Sequence, residues 1–417
     1  MKIRLLVIFV VLALTATSVY PNGLSLNSIG PKGFGMGGAF VGLANDYSAI
    51  YWNPAGLTQI QKNFIGVFVT DIVPMATYKF SMAAVDTKTK TNHYIAPNLM
   101  GSFKFNFCEK LSLGLGIFVP AGIGTEWDGN DLRNLSAGDN VEWMSKIGVI
   151  NISPAIAYQA TEQLSIGVAF NIFYGMFDLK RPVVAGGNGY QYSEESDGLG
   201  YGMSAGMLFK ATKEFSVGAS FKTKTSVTMS GSAKNPAMAG IPAKTETDFD
   251  REVSWPMWIA CGVAIRPIES LVITADVQFS RWSESEDEFV TEYKDATWAY
   301  VTSLTDDDKF ILHWKDATQI RLGIGYSVSE NLNFRAGYYY DPAPAPAETY
   351  TILFPSITYN AVTVGAGYTA GNFVFDIAGE YLIGKDREIE MLTNPEAMPG
   401  THGMDIIAGS FGIGFMF

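Results

Sequence analysis

Residue types that carry most enzyme chemistry are scarce in this chain of 417 residues, which has two cysteines and three histidines. Cys108 and Cys261 have no company at metal-site spacing, and we expect both to be small apolar fillers. The histidines, His93, His313 and His402, show no metal-ligand spacing and no accompanying nucleophile motif. The sequence therefore predicts no catalytic residue, no metal site and no cofactor.

Long apolar runs are also scarce, and the one that stands out is at the N-terminus. Lys2 and Arg4 precede an apolar stretch over residues 5–16, followed by small residues that place a cleavage site near Ser18. This is the pattern of a secretory signal peptide, so we assign residues 1–18 to one. No later segment has the roughly 18 consecutive apolar residues that a membrane-spanning helix needs. The sequence predicts an exported chain without a transmembrane helix.

Basic residues are outnumbered, with 29 Lys and Arg against 41 Asp and Glu and a formal net charge of -12. Nucleic-acid binding needs a basic surface, so no nucleic-acid partner is expected. Acidic residues cluster at 284–288 and 306–308. We interpret these clusters as a solvated rim, with cation-mediated contact to lipopolysaccharide as the alternative.

Glycine and aromatic residues are abundant, at 43 glycines and 13% aromatics, which favours an all-β chain. Apolar residues alternate with polar or very small ones in most segments. The clearest apolar series are Leu111, Leu113, Leu115, Ile117 and Val119; Leu164, Ile166, Val168, Phe170 and Ile172; Leu271, Ile273, Ala275, Val277 and Phe279; Ile320, Leu322, Ile324, Tyr326 and Val328; and Phe373, Phe375 and Ile377. A soluble sandwich has the same period, so alternation alone does not decide the architecture.

The lengths of the connections decide it better. Short turns are expected near residues 108–110, 160–163, 211–214, 267–270, 329–331 and 371–372. Longer polar connections are expected near residues 86–92, 125–142, 181–198, 233–250, 287–312, 341–354 and 388–403. Alternating short and long connections, with an aromatic C-terminal strand ending in Phe417, are typical of outer-membrane barrels. The predicted fold is a fourteen-stranded antiparallel transmembrane β-barrel.

The segment of residues 22–61 precedes the strands and has neither strand nor helix periodicity. It is rich in glycine and nearly uncharged, and it ends in Asn53, Pro54 and Ala55. We interpret residues 19–61 as a hatch that fills the lumen and residues 62–417 as the barrel. A flexible linker is the alternative.

The third predicted strand contains a fault at Pro120 and Gly122. A proline cannot donate to the strand ladder, and an unpaired backbone group is costly inside a bilayer. Either the strand ends at Pro120 as it leaves the membrane, or the wall opens there.

Several short motifs, in this order along the chain, resemble those of one family. They are Asn-Asp at 45–46, Asn-Pro-Ala at 53–55, Ala-Pro-Asn at 96–98, Gly-Ile-Gly-Thr-Glu-Trp at 122–127, Pro-Met-Trp at 256–258, Arg-Trp-Ser at 281–283, Lys-Asp-Ala at 315–317 and Asp-Pro-Ala-Pro-Ala-Pro at 341–346. The chain resembles the FadL family of outer-membrane transporters (OMPP1/FadL/TodX). Members carry long-chain fatty acids and other hydrophobic compounds, including aromatic hydrocarbons.

The resemblance implies a hatch in the lumen, an external groove that collects ligand, and a lateral passage at a kink in the third strand. Pro120 and Gly122 fall on that kink, and Asn53, Pro54 and Ala55 match the hatch motif. These five residues are the expected gate. We expect Asn53 and Pro54 to contact the backbone at residues 120–122.

The resemblance also suggests ligand-binding residues. Arg181 aligns with a basic residue near the ligand carboxylate, whereas Phe310 occupies a second basic position, with Lys309 beside it. The third and fourth loops, which build the external groove, are apolar here. Val183 lies in the third, and Met238 and Ile241 lie in the fourth. Exposed apolar patches often mark interaction sites, although loops that pack on each other would give the same composition.

The expected function is passive outer-membrane uptake of a long-chain fatty acid or another hydrophobic compound, by a monomer surrounded by outer-membrane lipid and lipopolysaccharide. An aromatic-hydrocarbon channel of the same family is the alternative substrate assignment. A general porin and an outer-membrane lipid hydrolase are the rival functions.

Overall fold

The structure is a computed structural model that describes residues 23, 26, 29–105, 108–285, 287–391 and 397–417. The predicted signal peptide lies outside the described residues. Within the described residues, no helix is both long enough and apolar enough to cross a membrane.

Most of the described chain is β-structure. The strands are β1 (Phe64–Phe80), β2 (Val85–Lys88), β3 (Tyr94–Phe105), β4 (Cys108–Trp127), β5 (Trp143–Gln159), β6 (Leu164–Ala185), β7 (Asn188–Lys210), β8 (Phe215–Lys222), β9 (Thr225–Lys234), β10 (Glu246–Trp255), β11 (Trp258–Ile268), β12 (Leu271–Ser280), β13 (Glu288–Tyr293), β14 (Lys309–Ile311), β15 (Ala317–Ser327), β16 (Leu332–Asp341), β17 (Thr358–Ala370), β18 (Phe373–Lys385), β19 (Arg387–Ile389) and β20 (Gly400–Met416).

The described helices are short. The α-helices are α1 (Pro31–Gly35), α2 (Ala49–Trp52) and α3 (Ala296–Ser303). The 3₁₀ turns are Pro54–Gln59, Ser81–Ala83, Arg133–Leu135, Pro236–Gly240, Trp282–Glu284 and Ala347–Thr349.

The sheet closes on itself, because β1 pairs antiparallel with β3 on one side and with β20 on the other. We call each crossing of the barrel wall a stave. Four staves are interrupted, and each of them consists of two consecutive strands: β8 with β9, β10 with β11, β12 with β13, and β14 with β15. Counting each pair once and leaving out the short flanking strands β2 and β19 gives fourteen antiparallel staves, so the predicted fold is confirmed. Closure removes the unpaired edges that an open sheet would expose to lipid.

The predicted alternation separates the two faces of the wall. Leu115 is 46% exposed and Ile324 is 44% exposed on the outer face. Their neighbours Gly114 and Gly323 contact the interior side chains Ile50 and Met36. An apolar outer face matches hydrocarbon, whereas the inner face is polar or small, as in other transmembrane barrels. Cys108 and Cys261 are free, and Cys261 lies on the exposed face.

Two predictions about connections were wrong. The long connection predicted over residues 181–198 is largely strand, because β6 and β7 are joined by a turn at Gly186 and Gly187 with φ of 58° and 79°. Such positive φ values at both turn residues suit a tight hairpin. Beyond the bilayer the outer face of a strand meets water instead of lipid, so the apolar outer series that marks the strand in sequence ends. The turn predicted at residues 108–110 instead begins β4.

Candidate functional site

The N-terminal segment, residues 29–61, contacts wall strands around the barrel. Phe34 packs with Ala378 and Ala408 of β18 and β20, and Tyr47 stacks on Phe64 of β1 at 4.8 Å between ring centres. On the far side, Pro54 lies against β6 and β7. These contacts place the segment inside the lumen.

Inward-facing polar side chains of the wall hold this segment. Asp276 Oδ2 accepts a hydrogen bond from the Val41 backbone N–H at 2.7 Å. Arg321 donates to the Gly37 carbonyl at 3.0 Å, and Ser216 Oγ donates to the Gly42 carbonyl at 2.7 Å. Asp276 and Arg321, one charge of each sign, therefore anchor the segment to the wall.

Glycine allows the close approach between segment and wall. Gly37 has a φ of 65°, and a Cβ there would lie 2.9 Å from the Tyr338 backbone nitrogen. A Cβ on Gly42 would lie 2.6 Å from the carbonyl carbon of Gly262. Larger residues at either place would push the segment away from β16 and β11.

Asn53 is buried and joins the segment to the far wall. Its Oδ1 accepts from the Ala55 N–H at 3.2 Å, which caps the 3₁₀ turn that begins at Pro54. Its Nδ2 donates to the carbonyls of Val41 at 2.9 Å and Met207 at 3.0 Å. Asn53 therefore holds the turn and β7 together.

The expectation that Asn53 and Pro54 contact the backbone at residues 120–122 is corrected by the contacts they make. Their contacts with the wall lie at Gly167 and Gly206, on β6 and β7. The residue that bonds to the third stave at Pro120 is Leu26, whose N–H donates to the Pro120 carbonyl at 2.9 Å. Sequence alone could not place these residues, because the path of an irregular segment follows from close packing with the whole wall.

The third stave, β4, contains the predicted fault. Its pairing with β5 shifts register between Phe118 and Ala121, so the chain bulges at Pro120. Before the bulge, Phe118 points inward and Ile117 outward. Beyond it, Ala121 and Trp127 are buried on the inner side. One extra residue in a strand reverses which side chains face the lumen.

The bulge coincides with a gap in the wall. The pairing of β3 with β4 runs from Phe105 only as far as Leu99 and Ile117. Further along, residues 94–98 of β3 remain paired with β1 but have no ladder partner in β4. Nearer the loops, β4 instead contacts the segment between β2 and β3, where the Lys90 N–H donates to the Glu126 carbonyl at 2.8 Å.

Polar groups along the edges of the gap find partners elsewhere. The Val119 N–H donates to Asn98 Oδ1 at 2.9 Å, and the Pro120 carbonyl accepts from Leu26. Pro97 on β3 and Pro120 on β4 have no N–H to satisfy. These arrangements lower the cost of leaving two strands unpaired within a membrane. The pair of prolines on adjacent strands was the sequence signal for this gap.

A cavity of about 510 Å³ occupies the gap, which we call the gap cavity. Its outer part is lined by Ile95, Ile117 and Ile150, which are exposed on the outer face. Its inner part is lined by buried residues that include Tyr359 and Leu382. The lining therefore includes both buried residues and residues exposed on the outer face, and it is mainly apolar.

A second cavity, of about 60 Å³, lies in the lumen and is called the lumen cavity here. The N-terminal segment supplies Ile50 and Tyr51, and the wall supplies aromatic and polar side chains. The wall residues are Phe118, Pro120, Ala121, Asn151, Asn171, Phe173, Ser204, Lys222, Thr223, Thr225, Trp255, Pro256, Trp258 and Ser280. Ala121 lines both cavities, so they adjoin at the bulge.

The predicted ligand residue Arg181 is already engaged. It forms an ion pair with Asp307 at 3.0 Å, and its guanidinium lies 4.7 Å from the ring centre of Tyr192 and 5.8 Å from that of Phe310. Lys309 pairs with Asp306 at 3.2 Å. Neither Arg181 nor Lys309 lines the gap cavity or the lumen cavity.

The predicted groove residues divide between core and surface. Met238 is 4% exposed, and Val183 packs against the same apolar cluster, so packing between loops accounts for both. Ile241 is 38% exposed and Val184 is 55% exposed at the same end of the barrel. These two remain available as an apolar surface.

A buried polar network that the sequence did not reveal lies at the loop end of the barrel. The Arg251 guanidinium contacts both carboxylate oxygens of Glu194, and both side chains are almost fully buried, at 1% and 0% exposed. The Thr291 hydroxyl accepts a hydrogen bond from Arg251. The hydroxyl groups of Tyr192 and Tyr293 are hydrogen-bonded to each other at 2.9 Å. Partners from β7, β10 and β13 are far apart in sequence, so no local pattern pointed to them.

One ionisable pair lies within the N-terminal segment. Burial lowers the pKa of the Lys32 ammonium, and the nearby Asp46 opposes that shift. Burial raises the pKa of the Asp46 carboxyl, opposed by Lys32 and by hydrogen bonds from Ser48. Both side chains are half-buried, and each charge is partly stabilised by the other. The described residues contain no cluster of three potential metal ligands.

Comparison with known proteins decides the family. The model of the outer membrane protein transport protein family (OMPP1/FadL/TodX) matches residues 12–406. The chain belongs to this family. It is a protein of the bacterial outer membrane, as its barrel fold and its relatives agree.

Relatives and solved structures of the OMPP1/FadL/TodX family match nearly the whole chain. The long-chain fatty acid transport protein of Escherichia coli (strain K12) is 22% identical over 435 residues, covering 91% of this chain and 92% of that protein. Outer membrane protein P1 of Haemophilus influenzae is 22% identical over 401 residues, covering 84% of each.

Two crystal structures have the same fold. A Pseudomonas aeruginosa FadL homologue superposes with a TM-score of 0.80 at 15% identity, covering 94% of this chain and 99% of that one. The toluene transporter TodX of P. putida superposes with a TM-score of 0.72 at 19% identity, with the same coverage. Both superpositions show that the barrel fold of this chain is that of these two structures.

Proposed function

We propose that the protein takes up hydrophobic molecules passively and releases them sideways into the outer membrane through the gap between β3 and β4. The observation that carries this proposal is the gap cavity, which joins buried residues on the lumen side to exposed residues on the lipid side. Relatives named as a long-chain fatty acid transport protein and a toluene transporter support a hydrophobic cargo.

Ligand capture begins at the apolar surface of the loops. Val184 and Ile241 are exposed there, and each would lose contact with water when an apolar ligand binds. Burial of apolar area provides about 25 cal/mol per Å², so a long acyl chain or an aromatic ring partitions favourably without an energy source. The ligand then passes to the lumen cavity beside Tyr51.

Exit requires movement of the N-terminal segment. Leu26 lines the gap cavity and bonds to Pro120, and the Tyr51 hydroxyl donates to the Leu26 carbonyl at 3.4 Å. Displacement of Leu26 breaks one backbone hydrogen bond and widens the path past Ala121. This is a conformational step without chemistry, so the proposal assigns no enzymatic activity. A gating role for Asn53, Pro54 and Ala55 stays a prediction. In this proposal these residues act by fixing the N-terminal segment to the wall.

Specific features favour this function over the rivals. A general porin needs a continuous water path, whereas the N-terminal segment packs against the wall around the lumen. A lipid hydrolase needs a histidine beside a nucleophile. His402 instead contacts the Met398 carbonyl at 2.8 Å, and His93 pairs with Asp71 at 2.7 Å.

The proposal is tested by uptake of radiolabelled oleate and of toluene in cells that lack their own transporters of this family. We expect expression of this protein to raise uptake of at least one of the two above the empty-vector control. Planar-bilayer conductance is expected to stay near the background of the bilayer, because the lumen is filled. Unchanged uptake of both compounds, or steady porin-like conductance, would contradict the proposal.

A further inference from the structure

Lys222 is the cation of the lumen cavity. Its ammonium lies 3.3 Å from the ring centre of Tyr51 and 4.4 Å from that of Trp258. Tyr51 belongs to the N-terminal segment and Trp258 to the start of β11, so the ammonium lies between segment and wall. Such cation–π contacts stabilise an ammonium without neutralising its charge.

No carboxylate neutralises Lys222 within the described part of the chain. The described residues that line the lumen cavity include no Asp or Glu. Other inward-facing basic side chains are engaged: Arg335 pairs with Asp376 at 2.6 Å, and Arg321 bonds to Gly37. A cation without a counter-ion in a restricted space attracts an anionic group strongly.

The opposite side of the lumen cavity is an amide and hydroxyl ladder. Asn151 Nδ2 donates to Asn171 Oδ1 at 2.9 Å, and Asn171 Nδ2 donates to Ser204 at 2.8 Å. Asn151 is 3% exposed, yet its Oδ1 has no hydrogen-bond partner. A concerted rotation of the two amides would present an N–H there instead, so the ladder can accept or donate. The cavity thus offers polar groups suited to a small head group.

We propose that Lys222 is the charge-selecting residue of the lumen cavity and that it binds the carboxylate of an apolar ligand. This proposal rests on the proposed function and names the class of ligand that the site prefers, which is a monoanion on an apolar chain. The lumen cavity is small, at about 60 Å³, so it suits a compact head group such as a carboxylate. The chain of the ligand then extends past Ala121 into the gap cavity.

This assignment replaces the one expected for Arg181. Asp307 neutralises Arg181 at the loop end, whereas Lys222 lines a cavity that leads to Pro120 and has no Asp or Glu among its described lining residues. The signal in sequence was weak, because Lys222 ends a strand and is followed by another lysine two positions later. Only the fold shows that Lys222 faces Tyr51 while Lys224 is exposed.

The test compares a charged ligand with a neutral one of the same chain. Equilibrium binding of oleate and oleyl alcohol is measured for the wild type, Lys222→Met and Lys222→Arg in lipid nanodiscs, at a pH where oleate is ionised. We expect Lys222→Met to weaken oleate binding about tenfold, the usual size of one lost charge-assisted hydrogen bond. Oleyl alcohol binding should change less than about threefold in the same variant. Lys222→Arg should keep most of the oleate affinity, because the charge is retained.

The outcomes separate the two proposals. If Lys222→Met weakens oleate and oleyl alcohol equally, Lys222 only holds Tyr51 in place, and the inference is overturned while uptake stands. Unchanged oleate binding in Lys222→Met overturns it as well. If the wild type binds neither ligand, the inference is overturned, and the proposed function is then decided by the separate uptake measurement with toluene. Retained heat resistance of the folded band on electrophoresis shows that each variant has kept its barrel.

Discussion

Replacing Gly122 by phenylalanine is expected to abolish most uptake while leaving the barrel intact. Gly122 lies on β4 directly after the bulge and lines the gap cavity. A Cβ there would have its nearest described neighbour, the Ile147 carbonyl oxygen, at 3.5 Å, so a side chain can be accommodated without a backbone clash. The ring of Gly122→Phe would fill the space between the lumen side and the lipid side. We expect initial uptake of labelled oleate or toluene to fall at least about tenfold, equivalent to roughly 1.4 kcal/mol of added barrier.

A matched control is available on another strand. Gly409 of β20 is also exposed on the outer face, and no described atom lies within 4 Å of a Cβ at that position. Gly409→Phe should therefore transport at the wild-type rate. The double variant Pro120→Val with Gly122→Val should resemble Gly122→Phe, because it straightens and narrows the same place. Normal uptake by Gly122→Phe at normal expression would exclude the gap as the exit.

The second large effect is expected on stability at the loop end. Arg251→Met leaves the Glu194 carboxylate buried at 0% exposure without its cation, with the Tyr192 hydroxyl as a remaining hydrogen-bond donor. An isolated buried charge typically costs about 3–5 kcal/mol. We expect the free energy of unfolding in urea, measured in lipid vesicles, to fall by that amount.

The double variant Arg251→Met with Glu194→Met serves as the control. It removes both charges and replaces them with apolar side chains of similar length beside Phe177 and Phe249, over whose rings Arg251 now lies. Such replacements of a buried pair are often neutral, so most of the lost stability should return. If the single and double variants are equally destabilised, the lost stability does not come from an uncompensated Glu194 charge, and the prediction is wrong.

The membrane-spanning part of the fold could be read from local sequence. In the series from Leu111 to Ile117, one face meets hydrocarbon and the other meets the N-terminal segment, so burial imposes the two-residue period directly. The short turns at residues 160–163 and 371–372 also lie where the sequence placed them. Where strands leave the bilayer, as β6 and β7 do near Arg181, the outer face no longer meets hydrocarbon, and the apolar outer series that marked the strand in sequence ends.

The candidate site could be predicted only in part. Pro120 indicated the fault in the sequence, because a proline has no backbone N–H to donate and this property does not depend on the fold. The partner of that fault, Leu26, was missed because it depends on the path of the N-terminal segment. Lys222 was missed for a similar reason, since its role follows from the position of Tyr51, over 170 positions earlier in the chain. Arg181 and Lys309 were expected at a carboxylate, but Asp307 and Asp306 already neutralise them.

The most direct test of lateral exit is the location of a ligand caught in passage. A fatty acid with a diazirine near its terminal methyl group is photo-crosslinked to the protein in outer-membrane vesicles, and the labelled peptides are identified by mass spectrometry. The account predicts labels on both edges of the gap, at β3 near Ile95 and at β4 from Val119 to Gly122, and their loss in Gly122→Phe. Labels confined to the N-terminal segment and to inward residues of strands away from the gap would contradict it.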